Sequence, residues 1–95
     1  MSSSKISSVR WRIALSNDAA RAYKHFSLET AKRINTAFDK LALNPLAEGV
    51  VAIKSKHGVY RLRIGDLRIL FGLNKTDRII EIYAIVKRGE AYRRK

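Results

Sequence analysis

Residues 58–92 read GVYRLRIGDLRILFGLNKTDRIIEIYAIVKRGEAY, and this stretch decides the fold. Tyr60, Leu62 and Ile64 alternate with Arg61 and Arg63, the period of two that a strand shows when one side is wet. Gly65-Asp66 follows as a two-residue hairpin turn, with glycine at the first central position as a type II′ turn requires. That turn fixes the register by counting. Ile64 faces Leu67, Leu62 faces Ile69 and Tyr60 faces Phe71 on an apolar side, while Arg63 stands opposite Arg68 on the other, with Arg61 diagonally near.

Like charges facing each other across a strand pair destabilise it. Such a pair either splays into water as a solvated basic face or gathers around an anion, and the flat fork of guanidinium donors suits phosphate. After the polar cluster Asn74-Lys75-Thr76-Asp77, Ile79–Val86 extends the meander, with Leu73 opposite Ile80. Strict alternation then places Ile80, Ile82, Ala84 and Val86 on the apolar side. Glu81, Tyr83, Ile85 and Lys87 go to the arginine side, where Leu70, Tyr83 and Ile85 offer a floor for a stacked base or a seat for another chain.

Upstream, residues 1–8 hold five serines and nothing to bury, so a disordered tail is expected there and one domain over residues 9–95. Val9–Leu15 alternates Val9, Trp11, Ile13 and Leu15 against Arg10, Arg12 and Ala14, a further strand in which Trp11 is assigned to the core. Ser16-Asn17-Asp18 provides a helix N-cap, with Ala19, Ala22, Tyr23 and Phe26 at helical spacing. Ser27 caps a second helix, whose stripe is Ala31, Ile34, Phe38 and Leu41 and whose outward residues include Lys32, Arg33 and Lys40. Asn44-Pro45 ends it. Val50–Ile53 fits either a strand start or an extended loop. The expected fold is α+β, in the order β-α-α-β-β-β: a four-stranded, mainly antiparallel sheet with a helical hairpin on one face.

The 95 residues carry a formal net charge of +12 and a pI near 10.6, so a polyanionic partner is expected: nucleic acid, an anionic membrane surface or an acidic protein. The chain has no cysteine, which excludes disulfides and thiolate metal sites and fits a reducing cytoplasm. No apolar run is long enough for a membrane span or a signal-peptide core. There is no glycine-rich phosphate loop and no His/carboxylate cluster at metal-ligand spacing, so neither cofactor nor metal is expected. His25 reads as a helix-surface residue without a functional role.

The segments YRLRIGDLRILF and IYAIVKRGEAYRR, preceded by a strand and two helices, resemble the RelE/ParE toxin superfamily over residues 9–94. The most specific part is Tyr-Arg-x-Arg-x-Gly-Asp-x-Arg. The resemblance implies the toxin of a type II toxin–antitoxin system, held by an acidic cognate antitoxin, with a toxin–antitoxin heterotetramer as one arrangement. In the RelE-like branch the toxin is a ribosome-dependent endoribonuclease that meets 16S rRNA and mRNA in the A site and cuts the mRNA without a metal. The ParE-like branch instead inhibits DNA gyrase, and a noncatalytic RNA- or protein-binding relative is the third reading.

For the RelE-like branch the resemblance carries over a phosphate-stabilising role to Arg68, an alternating basic pair to Arg61 and Arg63, and cleavage-site positions to Lys87, Arg88 and Tyr92. This chain departs from members with lysines on the first hairpin strand, because arginine hardly ever deprotonates and makes a poor base. Lys54, Lys56, His57 and Lys87 remain as candidate bases, imidazole being the side chain that titrates nearest neutrality.

Overall fold

The computed structural model describes residues 10–87. The expected N-terminal tail, together with Arg88, Tyr92 and the rest of the basic C-terminal segment, lies outside the described residues. Strand β1 (Arg12–Leu15) leads into α1 (Asn17–His25) and α2 (Leu28–Leu43), followed by β2 (Val50–Ala52), β3 (Val59–Ile64), β4 (Leu67–Asn74) and β5 (Ile79–Lys87). The strands form one sheet in the order β1-β5-β4-β3-β2. All pairs are antiparallel except β1 with β5, which is parallel because the two helices carry the chain across the sheet between them.

Both helices begin where the sequence places their caps. The Ser16 side chain accepts from the Ala19 amide and that of Ser27 from the Thr30 amide, each satisfying a donor that the first helical turn leaves without a partner. Asn44 closes α2, its amide donating to the Lys40 carbonyl. The apolar stripes then meet one face of the sheet: α1 packs chiefly on β5, and α2 reaches β1 and β3. Tyr23 Oη donates to Asn35 Oδ1 at 2.9 Å and ties the two helices together. Ala19, Ile34, Ala37 and Leu41 close over Leu67, Ile69, Phe71, Ile80, Ile82 and Ile85, and Trp11 packs half-buried at the margin of this cluster.

The hairpin register agrees with the counted one at every pair: Ile64 with Leu67, Arg63 with Arg68, Leu62 with Ile69 and Tyr60 with Phe71. Gly65 has φ +59 and Asp66 does not enter the left-handed region, the combination a type II′ turn needs. The Tyr60 and Phe71 rings stack at 5.8 Å. Leu73 pairs with Ile80, also as counted.

Two expectations are corrected. The sheet has five strands rather than four, because Val50–Ala52 pairs with Leu62, Arg61 and Tyr60 as a short edge strand. Such a run is too short for periodicity to separate it from an extended loop. More consequential is a bulge in β5: Ile82 pairs with Phe71 and Ala84 with Leu70, leaving Tyr83 as an extra residue. One inserted residue inverts every later side chain. Ile85, expected on the arginine face, is therefore buried opposite Ile69, while Ala84 and Val86 turn outward beside Leu70 and Arg68.

Two measurements test this arrangement. Deleting Tyr83 leaves every other β4–β5 pair in place, so urea denaturation should show a cooperative transition with a loss of about 1–2 kcal/mol. Phe71→Ala, which empties part of the core, should cost more, about 3–5 kcal/mol. Arg63→Thr removes the exposed member of the like-charged Arg63–Arg68 cross-strand pair and should raise stability by a few tenths of a kcal/mol at low ionic strength. The gain should fade in added salt, read as the difference between melting temperatures at two salt concentrations.

Candidate nucleic-acid interface

The face of the sheet away from the helices carries Arg61 and Arg63 on β3 and Arg68 on β4, held side by side by the ladder. Arg61 lies between Val51 and Leu70, and Arg68 between Arg63 and Val86. Arg63 is exposed, whereas Arg68 is half-buried with its Nε screened from solvent. The arrangement is a three-guanidinium surface on rigid strands, able to grip a phosphate by bidentate contacts.

A further guanidinium reaches the β3–β4 turn from the helix side of the sheet. Arg33, expected on the outward side of α2, extends to the β3–β4 turn, where its Nη2 fills the space that a side chain on Gly65 would need. Periodicity assigns Arg33 to solvent and carries no signal of this contact, because the reach of a long side chain depends on where the helix is laid down. Arg33 and Arg63 both line a groove of 290 Å³ between α2 and β3, floored by Leu41, Leu62 and Ile64.

The candidate bases do not converge on this cluster. Lys54, Lys56 and His57 are exposed in the β2–β3 connection, which rejoins the sheet at Val59. From Val59 to Arg63 the strand runs about 13 Å, at roughly 3.3 Å per residue, so these groups sit at the opposite end of β3 from the Arg63–Arg68 pair. Lys87 is corrected in placement: it pairs with Leu67 and lines a hollow with Ala22, His25 and Phe26, on the helix side of the sheet. The bulge at Tyr83 causes this inversion. Arg88 and Tyr92 follow Lys87 outside the described residues. His25 is exposed on α1, its Nδ1 3.0 Å from the Arg21 carbonyl.

Among the described residues no group of three or more His or acidic side chains is placed to hold a metal ion, and no helix is long and apolar enough to cross a membrane. Tyr83, at 43% exposure, lies on the arginine side with its hydroxyl and outer ring over Gly72. Its carbonyl accepts from Ser16 Oγ at 2.8 Å, so the residue that caps α1 also holds the bulge.

Comparison with known proteins places this geometry. No curated protein sequence matches the chain. The archaeal RelE–RelB complex from Pyrococcus horikoshii OT3 superposes with a TM-score of 0.73 at 22% identity, covering 84% of this chain and 97% of that one. The isolated E. coli RelE toxin gives 0.73 at 10% identity, covering 86% and 90%. The YoeB dimer from Staphylococcus aureus gives 0.67 at 26% identity, covering 79% and 93%. At such identities these likenesses establish a shared fold. The family model described as the ParE toxin of type II toxin–antitoxin system, parDE, matches residues 9–92. With that match spanning nearly the whole sequence, the chain belongs to the ParE-toxin family of the RelE/ParE superfamily, the toxins of type II toxin–antitoxin systems.

Proposed function

We propose that the protein is the toxin of a type II pair and acts as a ribosome-dependent endoribonuclease, cutting mRNA in the A site and so stopping translation. The observation that carries this reading is the Arg63–Arg68 pair, with Arg61 on the same uncovered face. Facing guanidiniums cost stability in an isolated sheet and become favourable when an anion lies between them.

In the proposed reaction the 2′-oxygen of one nucleotide attacks its own 3′-phosphorus, and the bond to the following 5′-oxygen breaks. The products are a 2′,3′-cyclic phosphate and a 5′-hydroxyl. The 2′-hydroxyl proton leaves to a base and the departing oxygen takes up a proton. Arg61, Arg63 and Arg68 neutralise the charge that builds on the phosphorus oxygens, the role in which preorganised donors act most strongly. Arg88 supports or protonates the leaving oxygen and Tyr92 orients a base, as the family resemblance assigns them. The candidate bases Lys54, Lys56 and His57 stand far from Arg63–Arg68 along β3, and Lys87 is behind the sheet. This favours a mechanism in which the ribosome and mRNA align the attacking hydroxyl and charge stabilisation is the protein's main contribution.

A second reading has an observation of its own. The family model is that of ParE toxins, and the candidate bases Lys54, Lys56, His57 and Lys87 do not adjoin the Arg63–Arg68 pair, an arrangement that serves binding as well as catalysis. On this reading the same surface inhibits a DNA enzyme such as gyrase. In either case the proposed partner is an acidic antitoxin, which suits a chain of net charge +12. It covers the arginine face or displaces the segment from Gly89 to Lys95.

Single-turnover cleavage of ribosome-bound mRNA distinguishes the readings. Arg68→Ala should slow cleavage by about 10² or more while ribosome binding, spread over many cations, falls far less. Equal rates for the two proteins would remove Arg68 from the reaction. No cleavage by the wild type at any codon, with the supercoiling of relaxed DNA by gyrase inhibited, would select the second reading. Antitoxin affinity should fall as salt rises, and a complex indifferent to salt would exclude the arginine face as the covered surface.

A further inference from the structure

We propose that Tyr83 is a stacking platform for a base of single-stranded RNA, on the same face of the sheet as the phosphate-gripping arginines and laid over Gly72 by the β5 bulge. The inference rests on the RNA reading above and names how the substrate strand lies on the sheet.

Three observations converge on this residue. The first is position: Tyr83 is the unpaired residue of the bulge, and its ring lies over Gly72 on the arginine side of the sheet while remaining 43% exposed. Gly72 has no side chain to lift the ring. A β-carbon there would collide with the Tyr83 hydroxyl and outer ring carbons, so glycine is what lets the ring settle close to the strand. A π-face presented by a sheet is the element on which single-stranded nucleic acids stack, whatever their sequence.

The second observation is rigidity. The bulge leaves the Tyr83 backbone without a partner on β4, and Ser16 supplies one, its hydroxyl donating to the Tyr83 carbonyl while its amide donates to the Ile82 carbonyl at 2.9 Å. The platform is thus anchored to the N-terminus of α1. An anchored ring loses little freedom when a base settles on it.

The third is the polarity of the surroundings. Along β4 the outward residues run Arg68, Leu70, Gly72, with Arg63, Arg61 and Val59 opposite them on β3. Glu81 pairs with Gly72 from β5. A carboxylate repels phosphate, so the backbone of a bound strand lies toward Arg61, Arg63 and Arg68 and its base toward Tyr83, with Leu70 and Ala84 as the apolar floor between. From the Arg63–Arg68 rung to the Gly72 rung is about 13 Å, so the base at Tyr83 lies farther along the strand than the phosphate held by Arg63 and Arg68, with Arg61 midway between them.

The test uses the full-length toxin, wild type and as Tyr83→Phe and Tyr83→Leu, with three probes: a short single-stranded RNA, the same strand with abasic sites, and inorganic polyphosphate. Leucine still covers Gly72 but has no π-face. Anisotropy titrations should show Tyr83→Leu binding the RNA about tenfold more weakly, equivalent to about 1.4 kcal/mol, and Tyr83→Phe within about twofold of wild type. The three proteins should bind abasic strand and polyphosphate alike, and their melting temperatures report whether the fold is kept. Undiminished RNA binding by Tyr83→Leu would overturn the proposal and leave Tyr83 as a cover for Gly72 or a contact for a protein partner. Equal losses on RNA and abasic strand would overturn it too, because the base would then play no part. These titrations need no ribosome, so absent A-site cleavage would refute the enzymatic reading without touching this result.

Discussion

Burial of alternate residues of the central strand under two helices is the constraint on which everything else in this molecule depends. Leu67, Ile69 and Phe71 of β4 are almost wholly enclosed by Ile34 and Leu41 on one side and by Ile80, Ile82 and Ile85 of the neighbouring strand. Each such side chain contributes about 1.5–3 kcal/mol. Three of them match the net stability of an ordinary domain, about 5–15 kcal/mol. Among the described residues no charged side chain is buried, so the core contains no ionic group whose desolvation must be offset.

Because apolar residues claim one face, the intervening positions are forced together on the other. Arginines at 61, 63 and 68 are neighbours as a direct result of period two and a two-residue turn. The fold thereby concentrates like charge on its rigid part, and Arg33 reaches the β3–β4 turn from α2. Such a surface is costly alone and attractive to a polyanion, which couples the stability of the free toxin to the presence of its partner.

The β5 bulge distributes functions along one strand. Ahead of it, Ile80 and Ile82 serve the core in simple alternation. At it, Tyr83 stays on the arginine side without a register partner on β4, and beyond it Ile85 enters the core while Lys87 passes behind the sheet. Lys87, the last of the described residues, therefore faces the side opposite to the one regular alternation implies. Ser16 links this irregularity to the start of α1, so one hydroxyl terminates a helix and fixes a bulge.

By itself the sequence determined the helix starts at Ser16 and Ser27, the stop at Asn44-Pro45, the hairpin register from Gly65-Asp66 and the gathering of Arg61, Arg63 and Arg68 on one face. All of these follow from local rules: capping chemistry, the conformational freedom of one glycine, and a period of two counted from a fixed turn. Tertiary structure alone decided the pairing of Val50–Ala52 at the sheet edge, the approach of Arg33 to Gly65 and the side on which Lys87 lies. The physical reason is shared. An edge strand needs its neighbour in place, a long side chain reaches as far as helix placement allows, and a bulge forms where the core accepts Ile85 in preference to Ala84 and Val86. None of these choices has a signature in a single strand's alternation, because each compares one packing with another across the sheet.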